Sequence, residues 1–506
     1  MLFNSYIFIF LFLPMALCGW YCLNKIEKYK LAQVFLVGMS LWFYAYFNIG
    51  YLAIILGSSL FNFTFSVIIE KYDKAYKNSQ DTSLNTTAHD RFKKIMLILG
   101  CAVNLGILGY YKYYDFFLGN VNAVLGTDFI LKNILLPLGI SFFTFQQLSF
   151  VVDRCKGSAP HYDLVDYLTF VTFFPQLIAG PIVLHSEMVP QFQDKSLRTF
   201  KLESFAPGIA YFTIGLAKKV LLADTLAHVV NFGFDNVAGI DTISAIVLAV
   251  AYTFELYFDF SGYCDMAIGI GKMFRIEIPD NFDSPYKAVS LKDFWRRWHR
   301  TLGRFFTTYV YIPLGGGKKG KVRSVINTMI VFVLSGLWHG ANWTFVVWGF
   351  LHGIVVSINR LMEKKGQVKT GWRKLGSQIA TYVFFTLSVM IFRSDNLAAA
   401  WTYFERLFSF SNFGSIYVLA EQMPTTEIYM VTKVLDMKAQ HLLPYVNLGM
   451  LLLVLLIGWI ALAGKRTKHI VENCRWTTGF AVKMAVLFVW SVISLSGVST
   501  FLYFNF

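Results

Sequence analysis

The sequence predicts an all-α, polytopic integral membrane protein. Three observations carry that reading. The chain is 56% hydrophobic and only 15% charged over 506 residues, too little charge to cover a water-soluble globule of that length. Its apolar residues fall in blocks of about 20 or more, the length that takes a helix across a hydrocarbon core of about 30 Å. The blocks are unbroken, whereas a membrane barrel alternates in polarity, so helices are the spanning element.

Along the chain, spans are expected near 5–23, 31–48, 50–69, 95–115, 128–152, 164–183, 206–230, 242–271, 325–358 (long enough for two), 376–393, 443–463 and 478–503. Counting some as tilted or re-entrant gives roughly 11–13 crossings. The first span lacks a preceding basic region and is followed by others, so it is expected to be a retained helix and not a cleaved leader. Leu17 is too large for a lipoprotein processing site before Cys18. The six cysteines, Cys18, Cys22, Cys101, Cys155, Cys264 and Cys474, lie in or beside apolar runs without CxxC or Cys/His spacing. They read as buried free thiols, and neither a disulfide framework nor a bound metal is expected.

The net charge of +15 does not imply nucleic acid, because the basic residues cluster in short loops. Lys25, Lys28 and Lys30 follow the first span, Lys71, Lys74, Lys77, Arg91, Lys93 and Lys94 the third, and Arg154 and Lys156 the fifth. Two spans separate each cluster from the next. All three therefore face the cytoplasm under the positive-inside rule, with the N-terminus outside. Basic stretches 292–323, 360–374 and 465–475 join them if 164–183 and 325–358 are not single simple crossings. Residues 70–94 read as a flexible polar loop. With no soluble domain and no internal repeat in view, 1–506 is expected to be one domain.

One residue stands out. Within the apolar run from Ile326 to Phe350, only His339 titrates. An ionisable side chain at bilayer depth is expensive and usually functional, and imidazole is the side chain best suited to proton transfer near neutral pH. Gly336 and Gly340 flank it and permit a bend or a close backbone approach. His352 lies in the same block. On one straight helix it would sit about 20 Å away on another face. It is also nearer the basic 360–374 loop, hence nearer water, so His339 is the stronger catalytic candidate.

Ahead of that block, residues 291–323 carry nine basic residues against Asp293 alone. Read as one helix, Leu291, Trp295, Trp298, His299, Leu302 and Phe306 share a face. Arg296, Arg297, Arg300 and Arg304 occupy the rest. An interfacial helix explains the tryptophans and arginines but not His299 on the apolar stripe. The sharper reading packs the aromatic face onto the protein, turns His299 inward and leaves Arg296, Arg297 and Arg300 to hold a phosphate-bearing donor. Glu255 and Asp259 lie one turn apart on another apolar helix. They could orient the histidines, line a polar passage, or pair with arginines of the 291–304 helix.

Other chemistries find no support. Gly315-Gly-Gly-Lys-Lys-Gly-Lys321 resembles a phosphate loop, but Val322 stands where Ser or Thr would bind magnesium and no strand precedes it. Gly269-Ile-Gly271 lacks the third glycine of a dinucleotide fingerprint. There is no G-x-S-x-G elbow and no H-E-x-x-H pair.

Five ordered blocks carry a family resemblance: Tyr257-Phe-Asp259-Phe-Ser-Gly-Tyr-Cys-Asp265, Asn281-Phe-Asp-Ser-Pro-Tyr, Asp293-Phe-Trp-Arg-Arg-Trp298-His299, Tyr311-Ile-Pro-Leu-Gly-Gly, and Gly336-Leu-Trp338-His339-Gly340-Ala-Asn-Trp-Thr. With Phe174-Pro-Gln-Leu-Ile-Ala-Gly-Pro181, and over about 135–355, they resemble the membrane-bound O-acyltransferases. The branch is the membrane subunit of bacterial alginate and related polysaccharide O-acetylation. The resemblance implies helices around a central tunnel, with His339 as the family histidine and His299 at its second polar position. Trp298, Trp338, Asp259, Glu255 and Asn281 would line the tunnel. It further implies acetyl-CoA as cytoplasmic donor, outward delivery through the bacterial cell membrane, and a partner acetyltransferase outside. In this reading His339 is the general base and His299 polarises or positions the thioester carbonyl. Two alternatives stay open: D-alanyl transfer from a carrier protein to teichoic acid, and a proton-coupled transporter or flippase using His, Glu and Asp as a relay.

Overall fold

The structure, a computed structural model, describes residues 1–78, 82–363, 369–410, 414–424, 428–495 and Leu502. Among the described residues every regular element is helical. Nine helices among the described residues are long and apolar enough to cross a membrane: Phe8–Lys25, Tyr51–Asn78, Thr86–Leu125, Leu202–Asp235, Thr242–Met273, Lys321–His339, Trp343–Met362, Gly371–Arg393 and Gln440–Ala463. The spans expected at 31–48, 128–152 and 478–503 are the shorter helices Tyr29–Ala45, Ile140–Lys156 and Thr478–Ile493. Residues 496–501 and 503 of the last, and 364–368 of the basic 360–374 stretch, lie outside the described residues.

Two expectations are corrected. The block 164–183 is not a long helix. Leu164–Thr172 ends at an extended Phe173, and a four-residue turn, Phe174–Leu177, follows. Pro175 has no N–H and fits a helix only in its first turn, so it starts a new segment. The polar stretch 70–94 is not a loop over most of its length. Tyr51–Asn78 and Thr82–Leu108 run through it. Asp73 pairs with His89 at 2.8 Å and with Lys93 at 3.1 Å, and His89 stacks on Tyr72 and Tyr76. Such polar residues hold helix ends together by local pairing, as Glu70 and Lys74 do at 2.7 Å. Residues 79–81 lie outside the described residues. The cysteines are free, as expected, but Cys18 and Cys22 are exposed.

The chain forms two compact units. One comprises residues 1–212, 266–280 and 304–312, the other 213–265, 281–303 and 313–506. In the first, Phe8, Phe12, Phe43 and Phe174 pack ring against ring. Asn62 and Asn104 exchange amide hydrogen bonds at 2.9 and 2.8 Å, and Asn62 also donates to Gln147. This ties Tyr51–Asn78, Thr82–Leu108 and Ile140–Lys156 together where apolar surface alone supplies little specificity. A Cβ at Gly208 would stand 2.7 Å from the Gly269 carbonyl oxygen, and one at Gly269 2.6 Å from that of Gly208, so this crossing needs both glycines.

In the second unit, the 325–358 block is two helices, Lys321–His339 and Trp343–Met362. They are separated at Gly340–Asn342, where the Asn342 side chain accepts from the Thr344 N–H at 3.1 Å. The two legs meet on glycine. A Cβ at Gly336 would lie 2.2 Å from the Phe345 carbonyl oxygen, and one at Gly349 2.4 Å from that of Phe332.

Candidate active site

The second unit brings His299 and His339 together. Their rings lie 6.4 Å apart, centre to centre, at 78°, and both side chains are buried. Trp338 stands beside both, 5.0 Å from His339 and 5.8 Å from His299. Trp348 and Phe392 close round His339 at 5.3 and 5.5 Å, and Phe260 packs on His299 at 4.8 Å.

The expected continuous helix through 291–306 is not formed. Leu291–Arg297 ends, Trp298 is extended, and His299 adopts a left-handed φ of 45° before Arg300–Phe306 begins. Residues 281–283 hold this break open. The Asp283 N–H donates to the Arg297 carbonyl at 2.9 Å, and the Arg300 N–H donates to the Asn281 carbonyl at 3.0 Å. His299 thus points inward because of a break, not because of helical phase. A left-handed non-glycine residue costs on the order of 1–3 kcal/mol, and such strain concentrates at functional positions. Trp298 turns the other way. Its ring packs among Phe282, Phe294 and Phe385 at 5.0, 5.5 and 5.2 Å, so it belongs to the aromatic core and not to the histidine pocket.

Hydrogen bonds assign the protons. The Asn281 Oδ1 takes the Thr301 N–H at 3.2 Å and the Thr301 hydroxyl at 2.9 Å. An N–H only donates, so this atom is the amide oxygen, and His299 Nδ1 at 3.2 Å must donate to it. His299 Nε2 then carries the lone pair, buried and without a hydrogen-bond partner. In His339, Nδ1 lies 2.6 Å from the Ser335 carbonyl oxygen. A carbonyl only accepts, so Nδ1 carries the proton and Nε2 is again the basic nitrogen. Burial pushes His299 well below the usual histidine range, and the charge of a protonated His339 would push it further the same way. His299 is therefore neutral at physiological pH. In this form it accepts a hydrogen bond and cannot donate one to a carbonyl.

His352, expected near water, is buried. It sits on the second leg of the hairpin, with Trp348 between it and His339 at 4.6 Å from its own ring. The Trp295 indole N–H donates to its Nδ1 at 3.2 Å, and its Nε2–H donates to the Ser388 hydroxyl at 2.9 Å. Both nitrogens are committed, which separates it from the two histidines with basic Nε2 atoms.

The acids fall elsewhere. Asp259 does not pair with arginines of 291–304. Its Oδ1 lies 2.5 Å from Lys219 Nζ, which also reaches Asp224 at 2.6 Å, and its Oδ2 takes the Leu502 N–H at 2.9 Å. Glu255, one turn away, is buried with Oε2 lacking a hydrogen-bond partner. Lys219 and Asp224 went unnoticed in the sequence, although charges inside the apolar 206–230 block were the signal. Among the arginines, Arg297 is tied to Asp293 at 3.0 Å and to the Asp283 carbonyl at 3.3 Å. Arg296 and Arg300 are exposed. Arg304 belongs to the first unit, where it forks onto Glu187.

The helices of this unit, among them ones long enough to cross a bilayer, enclose two imidazoles, each with Nδ1 against an oxygen, among aromatic rings. Sequence comparison supplies the class: residues 41–395 match the membrane-bound O-acyltransferase family, and the chain belongs to it. It is 38% identical to the peptidoglycan O-acetyltransferase of Helicobacter pylori across 100% of this chain and 98% of that one. It is also 38% identical to the probable alginate O-acetylase AlgI of Pseudomonas aeruginosa, over 81% of this chain and 75% of the relative. Similarity to the teichoic acid D-alanyltransferase of Streptococcus thermophilus is lower, at 28% over 47% of this chain and 60% of the relative.

Proposed function

We propose that this protein takes an acetyl group from acetyl-CoA at the cytoplasmic face of the bacterial cell membrane. It passes that group outward for O-acetylation of an extracytoplasmic glycan, alginate-like or peptidoglycan, with the N-terminus outside and a partner acetyltransferase completing delivery. The observation that carries the reading is the His299–His339 pair, each with Nδ1–H held by an oxygen and Nε2 left basic. His339 Nε2 removes the proton from the attacking hydroxyl as its oxygen bonds to the thioester carbon. The carbon–sulfur bond then breaks, and the thiolate takes that proton back from His339. The attacking hydroxyl has one proton and gives it to His339, so His299 Nε2, which can only accept, takes a hydrogen bond from a second donor on the acyl acceptor and positions it; polarising the carbonyl would require a second proton on this ring. A helical tunnel lets the acetyl group pass while the charged donor stays behind, since moving its phosphates into hydrocarbon is prohibitive. The lower similarity to D-alanyltransferases favours acetyl over D-alanyl.

Two experiments test this. Full-length protein in lipid nanodiscs, offered acetyl-CoA or a D-alanyl carrier protein, is expected to consume only the former. Mass spectrometry of surface glycans from cells with and without the gene is expected to show loss of O-acetyl groups. An unchanged glycan, or preference for the D-alanyl donor, rejects the assignment. For donor recognition, the exposed Arg296 and Arg300 are the clamp candidates, because Arg297 serves as a strut. Arg296→Ala with Arg300→Ala is expected to raise KM for acetyl-CoA about tenfold or more with little change in kcat, as loss of charge-assisted phosphate contacts would. An unchanged KM removes the clamp.

A further inference from the structure

Attack on a thioester carbonyl places negative charge on its oxygen, and a pre-aimed hydrogen-bond donor there is commonly the largest single catalytic contribution. Neither catalytic imidazole can supply it, since each N–H is already given to a protein oxygen and each Nε2 is a lone pair. Among the described residues, one indole N–H beside His339 lies buried without an acceptor. The Trp348 indole Nε1 is buried without a hydrogen-bond partner, on a ring packed at 5.3 Å against the His339 ring. Buried donors are almost always satisfied, so an orphan beside a catalytic base points to a ligand atom that satisfies it. The contrast with Trp295 sharpens this. Its indole N–H lies in the same cluster, 5.7 Å away ring to ring, but is spent on His352.

We propose that Trp348 is a further catalytic residue, its Nε1–H donating to the acyl carbonyl oxygen as the tetrahedral intermediate forms. His352 and Phe392 brace the ring at 4.6 and 5.1 Å. The direction of the His352 hydrogen bonds is fixed, because Trp295 can only donate into Nδ1 and the Ser388 hydroxyl donates to the Phe385 carbonyl at 2.7 Å, so it accepts from Nε2–H. His352 therefore stays neutral and holds Trp348 without exchanging protons with His339. The donor thus comes from the second leg of the hairpin and the base from the end of the first, joined at the Gly336–Gly349 crossing.

The inference rests on the acyl-transfer reading, and the test separates the two. Full-length protein in nanodiscs is assayed for thiol release from acetyl-CoA. Trp348→Phe keeps the ring and removes the donor, and is expected to lower kcat by about 10²–10³-fold with KM and melting temperature near wild type. Trp295→Phe, which removes an indole N–H that serves structure alone, is expected to lose far less. A Trp348→Phe protein with wild-type kcat, or with a change confined to KM, overturns the proposal. Should that variant not fold, the wild-type protein decides. With dithioacetyl-CoA, whose thiocarbonyl is a poor acceptor, turnover relative to the uncatalysed reaction is expected to fall at least about tenfold; an equal rate overturns the donor role. If the wild-type protein releases no thiol from acetyl-CoA, the acyl-transfer reading itself fails. If His339→Ala is inactive while Trp348→Phe is fully active, only the oxyanion donor does.

Discussion

His339→Ala is expected to abolish acetyl transfer while leaving the protein folded and inserted. General-base catalysis contributes about 10²–10⁴-fold, and no other imidazole can substitute. The His299 ring is fixed by its Nδ1–H bond to Asn281, 6.4 Å centre to centre from the His339 ring, and so does not occupy the position of the base. His352 has both nitrogens occupied. The fold should survive, because the His339 bond to the Ser335 carbonyl is a contact worth about 0.5–1.5 kcal/mol net. Alanine also opens a space among Trp338, Trp348 and Phe392, so His339→Gln is the sharper control. It fills most of that space and offers hydrogen bonds without a usable base, and it is expected to be equally inactive. Acetylated glycan from cells carrying either variant at normal membrane abundance would remove His339 from the mechanism.

Much of this was legible in the sequence, for identifiable reasons. Membrane helices announce themselves by length and polarity. A histidine inside one is an outlier that needs no structure to notice, and the Trp-His-Gly run placed it within a family. The hairpin was half visible: the 325–358 block is long enough for two crossings, while its turn at Gly340–Asn342 emerged only in the structure. The break at Trp298–His299 was not visible, since no proline or glycine lies there. It is imposed by Asn281 and Asp283, distant in sequence, through backbone bonds on both sides. Helical periodicity therefore gave His299 the right destination by the wrong route and put Trp298 beside it, where the structure turns the two apart. His352 failed in the same way, because sequence distance from a basic loop says nothing about a neighbouring helix such as Gly371–Arg393, whose Ser388 hydroxyl accepts a hydrogen bond from its Nε2–H.

Lys219 carries the second large expected effect, and it separates stability from chemistry. Lys219 is buried between Asp224 and Asp259, at 2.6 and 2.5 Å, on a helix long enough to span the membrane. Lys219→Met preserves the length of the side chain and removes its charge. It strips the counterion from Asp259, which also accepts from the Leu502 N–H, with the Glu255 carboxyl one helical turn away. Breaking one side of a buried ion pair costs about 3–5 kcal/mol, far more than the pair gains over apolar residues of the same shape. Lys219→Met is thus expected to melt well below the wild type and to lose folded protein in membranes, as fluorescence-detected size exclusion with a heating step would show. The triple change Lys219→Met, Asp224→Asn, Asp259→Asn removes the charges together and is expected to recover most of that stability. If the network is only a strut, the triple variant should also recover acetyl transfer. Recovery of folding without transfer would instead give Asp259 a part in the chemistry.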